Sequence, residues 1–562
     1  MKTPKELRLP KKFQTWREGQ AEAIEAISAS EAYAFLLDAP TGVGKTLIGV
    51  GAHQSRVLHE ITKKVLGRLA GRSPSAYDRR CIYITRTKQL QDQLLADFPF
   101  AKSVKGRNNY LCLKHPEKFP NFTAEHCTHH MSELTLSGLE ENPSSCEYRS
   151  ECPYFLEKIK AVTAPLAVLN TAYFLSEVNG PRQFNGADLL IIDEIDSMEN
   201  ALMNHVQFSI SEKQLKRFNI KPPANMFDFR SWIIWADRIE VDIMSRLGLL
   251  QSRLNLPDNQ WTDIEIEAQR SATHLENFLN KIRLFVKEVN DNWVFTFNQN
   301  ENQEWTWTFK PVMVAPYALK YLWCHAQRVL GMSSTIFEPE ILVKDIGLGF
   351  EKCVDQHYYR SWEYKKLDSP FPIKNRPIYY TPVVDLVRDR MAEELPKLVQ
   401  AVKGIIAQYP NNKILIHTVS YSIRDYLLQY LGNERVMTHT TENRELMLSL
   451  FKQSKIHNVM LSPSFDRGVD LPQEDCRCVI ICKVPYLDLG DPQIKARMEM
   501  PGGQAWYLLK AAQTLVQMSG RAVRSVDDYC DTYILDRQFS VLLARIRYML
   551  PKWWLDAIIK GV

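Results

Sequence analysis

The chain has 562 residues with ordinary apolar and charged fractions, 45% and 24%, so it is long enough to bury several hydrophobic cores. A formal net charge of +5 is small for this length, which excludes a globally basic protein and leaves only a local stripe for any nucleic-acid surface. The polar N-terminus, the lack of a membrane-length apolar run and an odd number of cysteines, eleven, predict a cytoplasmic protein without a membrane anchor.

Short β-branched runs occur throughout the chain and predict buried parallel strands. These runs are Tyr33–Leu37, Cys81–Thr85, Leu189–Ile192, Arg328–Met332, Lys413–His417, Asn458–Leu461, Cys478–Cys482 and Asp531–Leu535. Helical patterns separate most of them, and this alternation predicts an α/β fold with two such domains. The predicted helices are Thr46–His59, Lys88–Ala96, Val383–Ile406 and Ala505–Met518.

Two stretches break this alternation. Lys105 to Lys160 is rich in Cys, His, Pro and Asn with little periodicity, so something other than a hydrophobic core must order it. Val206 to Val312 carries the predicted helices Trp232–Leu250 and Ile264–Val289 and then a predicted hairpin. One hairpin face is aromatic, and we expect it to pack on its own domain rather than to stack on bases. The residues of this face are Trp293, Phe295, Phe297, Trp305, Trp307 and Phe309.

The segment from Ala39 to Thr46 follows an apolar strand and opens a helical pattern. Its backbone N–H groups, including those of Thr41, Gly42 and Gly44, are therefore expected to cradle phosphates at a helix N-terminus. Lys45 would reach the β and γ phosphates. A glycine-rich turn with no ligand is the alternative, and the matching strand and the downstream acidic pair argue against it.

That acidic pair is Asp193 and Glu194, which follow an apolar strand. The Thr46 hydroxyl and the Asp193 carboxylate are the expected Mg²⁺ ligands. Glu194 is the natural general base, because a carboxylate one step beyond the metal-bound one can orient and deprotonate the attacking water.

The segment Gln517 to Arg524 distinguishes an ATPase motor from a small-molecule kinase or a GTPase. Arg521 and Arg524 stand three residues apart, which predicts neighbouring turns of one helical face. Together with Gln517 they would act at one γ-phosphate from a second domain and make hydrolysis depend on domain closure. The alternative is an exposed helix that happens to carry two arginines.

Read together, these motifs resemble the XPD/DinG family of superfamily 2 DNA helicases over nearly the whole chain. Arg17 and Gln20 match the family's adenine-contacting motif, and Gly468 and Asp470 match a nucleotide-contacting motif of its second motor domain. Further matches in family order are Tyr83–Thr87, Lys105–Cys112, Val168–Tyr173, Ser333–Thr335, His417–Tyr421 and Val484–Tyr486.

The resemblance implies two RecA-like motor domains that use ATP and Mg²⁺ to move 5′ to 3′ on single-stranded DNA and to unwind tailed duplexes. Its expected division is motor domain 1 at 1–104, 161–205 and 313–346, a cluster domain at 105–160, an arch at 206–312 and motor domain 2 at 347–562. We expect a monomer. Expected DNA contacts are Thr85, Arg86, Arg107, Ser420 and Tyr421. For Arg107, a solvated surface role is the alternative.

The resemblance also implies an iron–sulfur cluster. Cys112, Cys127, Cys146 and Cys152 stand where the family's ligands belong, and four thiolates suit a 4Fe–4S cubane. Zinc is the alternative, because Cys₄ also binds zinc and three histidines lie near Cys127.

The chain departs from the family at three positions. Asp196 stands where the family usually has His, Thr171 also replaces a usual His, and Asp466-Arg467 precede Gly468 where a carboxylate is common. The coupling between ATP and DNA is therefore expected to differ. Two other functions remain open: an ATPase that displaces proteins or collapses RNA–DNA hybrids with little unwinding, and a nucleotide-gated DNA-binding protein.

Overall fold

The protein is described from a computed structural model. It describes residues 2–56, 80–86, 88–113, 121–127, 148–254, 262–300, 302–349, 351–353, 356–358, 360–432, 434–465, 469–520 and 522–560. Three of the predicted site residues, Cys146, Gly468 and Arg521, lie outside these ranges. Among the described residues no helix has the length and apolarity needed to cross a membrane.

The first motor domain is built on a seven-stranded parallel sheet that is buried on both faces by helices. In spatial order its strands are Trp362–Lys366, Ala34–Asp38, Val329–Ser333, Leu189–Asp193, Cys81–Thr85, Leu166–Asn170 and Ala101–Ser103. The described helices around it include Gln20–Ala29, residues 45–56, Lys88–Asp97, Thr171–Asn179, Met198–Val206, Ala315–Tyr321 and Pro339–Asp345. The strands predicted here begin and end within one residue of the observed bounds.

One strand corrects the expected domain boundary. Trp362–Lys366 pairs with Ala34–Asp38 in the first sheet, although it lies in the range 347–562 that was expected to form motor domain 2. The strand stands at the edge of the sheet and is only partly buried, so its polar sequence lacks the apolar run of a central strand.

The second motor domain contains another seven-stranded parallel sheet. Its strands, in spatial order, are Val436–Thr438, Val459–Ser462, Ile414–His417, Cys478–Ile481, Asp531–Asp536, Ile378–Val384 and Ile558–Lys560. The main helices are Met391–Gln408, Tyr421–Leu431, Arg444–Gln453, Pro492–Glu499, Gly503–Ser519 and Gln538–Ile546. The predicted helix Val383–Ile406 was wrong at its start, because Val383 belongs to a strand and the helix begins only at Met391.

The arch range contains two long helices, Phe229–Arg253 and Asp263–Glu288, and a three-stranded antiparallel sheet. The predicted hairpin is present, with strands Trp293–Gln299 and Trp305–Pro311, and Phe208–Ser211 adds the third strand. Its aromatic face packs on its own domain as predicted. Trp307 lies 4.9 Å from Trp232 and Phe309 lies 4.9 Å from Phe285, measured between ring centroids, and all four rings are buried.

The described parts of 105–160 are short turns and one helix, Pro153–Thr163. Tyr110 joins the first turn to this helix, because its hydroxyl donates to Glu157 at 2.5 Å. Lys158 of the same helix forms an ion pair of 2.7 Å with Glu177 in motor domain 1, and both side chains are almost fully buried. The ion pair fixes the helix to the motor domain.

Candidate nucleotide site between the two motor domains

The predicted phosphate loop connects the strand Ala34–Asp38 to the helix that begins at residue 45. Gly42 and Gly44 have φ angles of 84° and 85°, in the left-handed region that favours glycine. A Cβ on Gly42 would lie 2.0 Å from a ring carbon of Phe371, and one on Gly44 would lie 2.6 Å from the side-chain nitrogen of Gln20. Both positions therefore favour glycine for conformation, and at Gly42 the Phe371 ring also leaves no space for a side chain.

Arg17 and Gln20 hold the carbonyl side of this loop. The Arg17 guanidinium donates to the Gly42 carbonyl at 2.8 Å, and the Gln20 amide donates to the Val43 carbonyl at 2.6 Å. Gln20 also accepts from the Arg17 backbone N–H at 2.9 Å. The two side chains thus stand beside the phosphate loop, and their contact with adenine stays a prediction.

Lys45 is enclosed among charged groups at the start of the helix. Its Nζ donates to the Ala39 carbonyl at 3.2 Å. Burial lowers the pKa of Lys45, the carboxylates of Asp193 and Glu194 oppose this shift, and the Arg524 guanidinium adds to it. An anion such as a phosphate would stabilise the charged ammonium here.

Asp193 ends a buried strand and faces Lys45. Burial raises the pKa of Asp193 to about 6, although Lys45 acts in the opposite direction. Within the described part of the chain its Oδ1 atom is buried and has no hydrogen-bond partner. A buried carboxylate oxygen in this state suits a cation, so Asp193 fits the expected role of Mg²⁺ ligand, with the Thr46 hydroxyl one residue after Lys45.

Glu194 turns the chain away from the strand with a left-handed φ of 57°. The turn leads into a short 3₁₀ helix, Ile195–Ser197, and gives neighbouring acidic residues different surroundings. Glu194 is partly exposed in the cleft, whereas Asp196 is buried in the interior. A partly exposed carboxylate beside Asp193 has the access to water that a general base requires.

These residues open onto a cleft between the two motor domains. Its walls come from both sheets, so a ligand held there would touch both domains at once. The first domain contributes Thr41, Gly42, Lys45, Thr85, Arg86, Asp193 and Glu194, and the second contributes Asp470, Gln517 and Arg524.

The segment Gln517 to Arg524 contributes to the cleft, but its secondary structure differs from the predicted helix. The helix Gly503–Ser519 ends at Gly520, so Arg524 lies in a loop and the predicted shared helical face with Arg521 is wrong. The Arg524 guanidinium donates to Asp470, and also to the Gly520 carbonyl at 3.0 Å. Gly520 is the C-cap residue, so the helix ends before Arg524.

Asp196 connects the two domains. Its carboxylate accepts from Ser333 Oγ at 2.6 Å and from Thr335 Oγ1 at 3.1 Å, both in the first domain. It also accepts from Gln517 Nε2 of the second domain at 3.1 Å, and this amide nitrogen lies 2.9 Å from Thr335 Oγ1. The sequence identified Asp196 only as a departure from the family, and its partners were not predicted.

Two family models match the chain: a helicase C-terminal domain over residues 403–557, and the res subunit of type III restriction enzymes over residues 13–215. Probable ATP-dependent helicase MJ0942 of Methanocaldococcus jannaschii is 21% identical, with 91% of this chain and 89% of that protein covered. ATP-dependent DNA helicase YoaA of Escherichia coli is 23% identical, with 82% and 86% covered. The chain belongs to the XPD/DinG family of superfamily 2 DNA helicases.

Solved structures of XPD/DinG-family proteins share the fold. An XPD helicase structure superposes with a TM-score of 0.60 at 16% identity, covering 96% of this chain and 98% of that one. S. tokodaii Xpd4 gives a TM-score of 0.52 at 15% identity, covering 97% and 100%. The similarity extends over both motor domains.

The residues expected to contact DNA in this XPD/DinG-family chain lie in two groups. Thr85 and Arg86 line the cleft, where their carbonyls accept from Thr171 Oγ1 at 3.2 Å and from Asn170 Nδ2 at 2.9 Å. Thr85 is only 1% exposed, so a strand of DNA could reach little of it.

The other expected contacts are not among the residues that line this cleft. Arg107 lies over the Tyr154 ring at 5.6 Å and is partly buried, which differs from a fully solvated arginine. Ser420 caps the helix Tyr421–Leu431 by accepting from the Ile423 N–H at 3.3 Å. Tyr421, the aromatic residue of the expected set, is 45% exposed.

Three of the four expected cluster ligands are described, and each is partly exposed: Cys112, Cys127 and Cys152. The Cys112 N–H donates to the Phe122 carbonyl at 2.8 Å, which brings the Cys112 segment against the segment that carries Cys127. Among the described residues no three His, Cys, Asp or Glu side chains are gathered as a metal site. The iron–sulfur cluster and its zinc alternative therefore both stay predictions.

Proposed function

We propose that this chain is an ATP-driven motor that moves 5′ to 3′ along single-stranded DNA and separates duplexes, powered by closure of its two motor domains. One observation carries the proposal: Gln517 of the second domain reaches Asp196 and Thr335 of the first, beside the phosphate loop. A change at the phosphates would therefore alter contacts in both domains.

The polar groups around the phosphate loop each have a part in hydrolysis. Lys45 binds the β and γ phosphates, and Thr46 and Asp193 would hold Mg²⁺, which supplies charge neutralisation at those phosphates. Glu194 orients the attacking water and takes its proton. Arg524 enters from the second domain, where Asp470 orients its guanidinium toward the developing charge.

Single-stranded DNA would cross the two domains through backbone contacts. Arg86 on the first motor domain and Arg107 in the expected cluster domain supply positive charge, and exposed Tyr421 supplies a stacking surface on the second motor domain. Such contacts do not read bases, so binding is expected to be salt-sensitive and independent of sequence. Arg107 is the contact nearest to the expected cluster ligand Cys112 along the chain.

We also propose that Cys112, Cys127, Cys146 and Cys152 hold a 4Fe–4S cluster. The support is the family membership and the packing of the described segments, in which Tyr110 lies 5.4 Å from Tyr154 and bridges the turns near Cys112 and Cys152. A cluster would order a stretch that has few apolar residues of its own.

The test is ATP-dependent unwinding of duplexes that carry either a 5′ or a 3′ single-stranded tail, with protein purified anaerobically. Unwinding from the 5′ tail alone is expected. A Cys112→Ser variant should lose both iron and unwinding, whereas Cys324→Ser, an exposed cysteine of motor domain 1, should keep both.

Different failures point to different errors. ATP hydrolysis without unwinding of either substrate would exclude the helicase proposal and favour a remodeller that displaces proteins. If the purified protein contains zinc in place of iron, the cluster proposal is wrong, but the motor proposal is unaffected.

A further inference from the structure

The arch touches the second motor domain through its hairpin. Lys310 lies near the end of the strand Trp305–Pro311, and its Nζ lies 2.5 Å from Asp491 Oδ2. Two residues farther along the chain, the Val312 carbonyl accepts from Gln493 Nε2 at 2.8 Å. Asp491 and Gln493 belong to motor domain 2, so these two contacts join parts of the chain that are about 180 residues apart.

The Asp491 carboxylate has two partners. Oδ2 pairs with Lys310, and Oδ1 accepts from the Gln493 backbone N–H at 2.9 Å and so caps the helix Pro492–Glu499. The Lys310 side chain is 15% exposed and the Asp491 side chain 29%. A pair this shielded is stronger than a typical surface pair, because less water and salt screen it.

Packed side chains connect this contact to the nucleotide cleft. Arg497 of the capped helix lies 5.4 Å from the Trp506 ring and forms a buried ion pair with Asp345 of the first motor domain. Trp506 lies on the helix Gly503–Ser519, which carries Gln517 into the cleft. The helix that contacts the arch and the helix that contacts the nucleotide site therefore pack directly together.

The arch itself is fixed to the first motor domain. Its hairpin rings pack in one continuous core with the helices and strands of that domain. Any movement of motor domain 2 away from motor domain 1 must then lengthen the Lys310–Asp491 and Val312–Gln493 contacts. A contact made only in the closed arrangement stabilises that arrangement.

We propose that Lys310 and Asp491 are positioning residues that hold motor domain 2 against the arch and so favour the closed, ATP-binding arrangement. The inference rests on the domain closure of the proposed function. Because neither residue lines the cleft, the pair acts on ATP affinity rather than on the chemical step.

The test compares three variants for affinity and turnover. Lys310→Gln removes the charge, Asp491→Asn removes the ion pair while its amide oxygen keeps the helix cap, and the third variant combines both. Each single variant should raise the Kd for a non-hydrolysable ATP analogue, and the KM for ATP, by about 3-fold. DNA-stimulated kcat should stay within about 2-fold, and the double variant should be no worse than either single one.

Lys320→Gln is the matched control. Lys320 pairs with Glu288, and both residues lie on the side of the arch and the first motor domain, so this ion pair does not change on domain closure. An unchanged Kd in the Lys310 and Asp491 variants, or an equal rise in Lys320→Gln, would overturn the inference. Binding of the analogue needs neither hydrolysis nor unwinding, so absence of unwinding in the wild type would refute the proposed function alone.

Discussion

Asp196 shows how one substitution changes the chemistry of a domain contact. A carboxylate only accepts hydrogen bonds, so it needs donors from each neighbour. Here Ser333, Thr335 and Gln517 supply them, and the last of these belongs to the other motor domain. When the domains separate, the buried carboxylate loses the Gln517 donor, and this loss favours the closed arrangement.

Asp196→Asn is therefore expected to lower DNA-stimulated kcat by about 10-fold or more, since a buried hydrogen bond and its unsatisfied partner are together worth about 1–3 kcal/mol. An asparagine Nδ2 in the place of Oδ2 would face the Thr335 hydroxyl and Gln517 Nε2, and Gln517 Nε2 cannot accept a hydrogen bond. Steady-state ATP hydrolysis measures the effect. In Gln513→Ala, which loses a bond of 2.7 Å to the Thr335 carbonyl, kcat should fall less. Equal kcat for Asp196→Asn and wild type would contradict this account.

For individual residues, the sequence predicted the site positions that belong to short motifs. The positions of Lys45, Asp193 and Glu194 follow from local patterns in which a strand ends and a turn begins. The Asp196 contacts join residues 137, 139 and 321 positions apart, and no local pattern carries that information. The contact between Phe371 and Gly42 was missed for the same reason.

Among the elements, the arch hairpin follows most directly from its sequence, because the alternation of aromatic and polar residues determines which face is buried. Trp307 and Phe309 are fully buried on this face, whereas Phe297, near the turn, is 45% exposed. Packing of aromatic rings from two helices and three strands therefore supplies the core of the arch.

Trp307→Ala is expected to destabilise the arch by about 3–5 kcal/mol, because it removes a fully buried indole and leaves a cavity. Phe297→Ala, with its half-exposed ring, should cost about 1 kcal/mol. Urea unfolding followed by hydrogen exchange of the helices Phe229–Arg253 and Asp263–Glu288 measures both. Similar losses in the two variants would show that burial does not govern the stability of this sheet.

Most strands that are buried on both faces were predictable, although Leu166–Asn170 was not among the predicted strands. Central strands such as Leu189–Asp193 were found within one residue of their ends. The edge strand Trp362–Lys366 was missed because its residues are polar or only partly buried. The start of the helix Met391–Gln408 was misplaced because apolar strand residues precede it. The second error comes from an apolar pattern that strands and helices share.

Across the whole molecule, buried ion pairs connect the motor domains. Asp345 pairs with Arg497, and Glu199 lies 2.9 Å from Lys510. Burial, with a smaller effect from the Glu199 charge, raises the pKa of Asp345 to about 7, although Lys510 and Arg497 oppose it. Below about pH 7 the folded protein thus holds a proton at Asp345 that the unfolded chain has released, and the contact with Arg497 is then a hydrogen bond rather than an ion pair.

A carboxyl group with a raised pKa contributes stability at low pH, and this contribution is lost as the pH rises through its folded value. As the pH rises from 6 to 8, the free energy of unfolding of the wild type should therefore fall by about 1 kcal/mol because of Asp345. Asp345→Asn should be less stable throughout, since Arg497 loses its partner, but its unfolding midpoint should depend less on pH. Parallel pH profiles for the two proteins would contradict the assignment.

A single covalent connection, residues 367–377, crosses from the first sheet to the second. Phe371 lies within this connection, and its ring packs over Gly42. The phosphate loop and the connecting segment are therefore in direct contact. We expect the length of this segment to be constrained, because one added residue would move the ring off the loop. Relatives of this chain should therefore vary in the size of their arch far more readily than in the number of residues between their two motors.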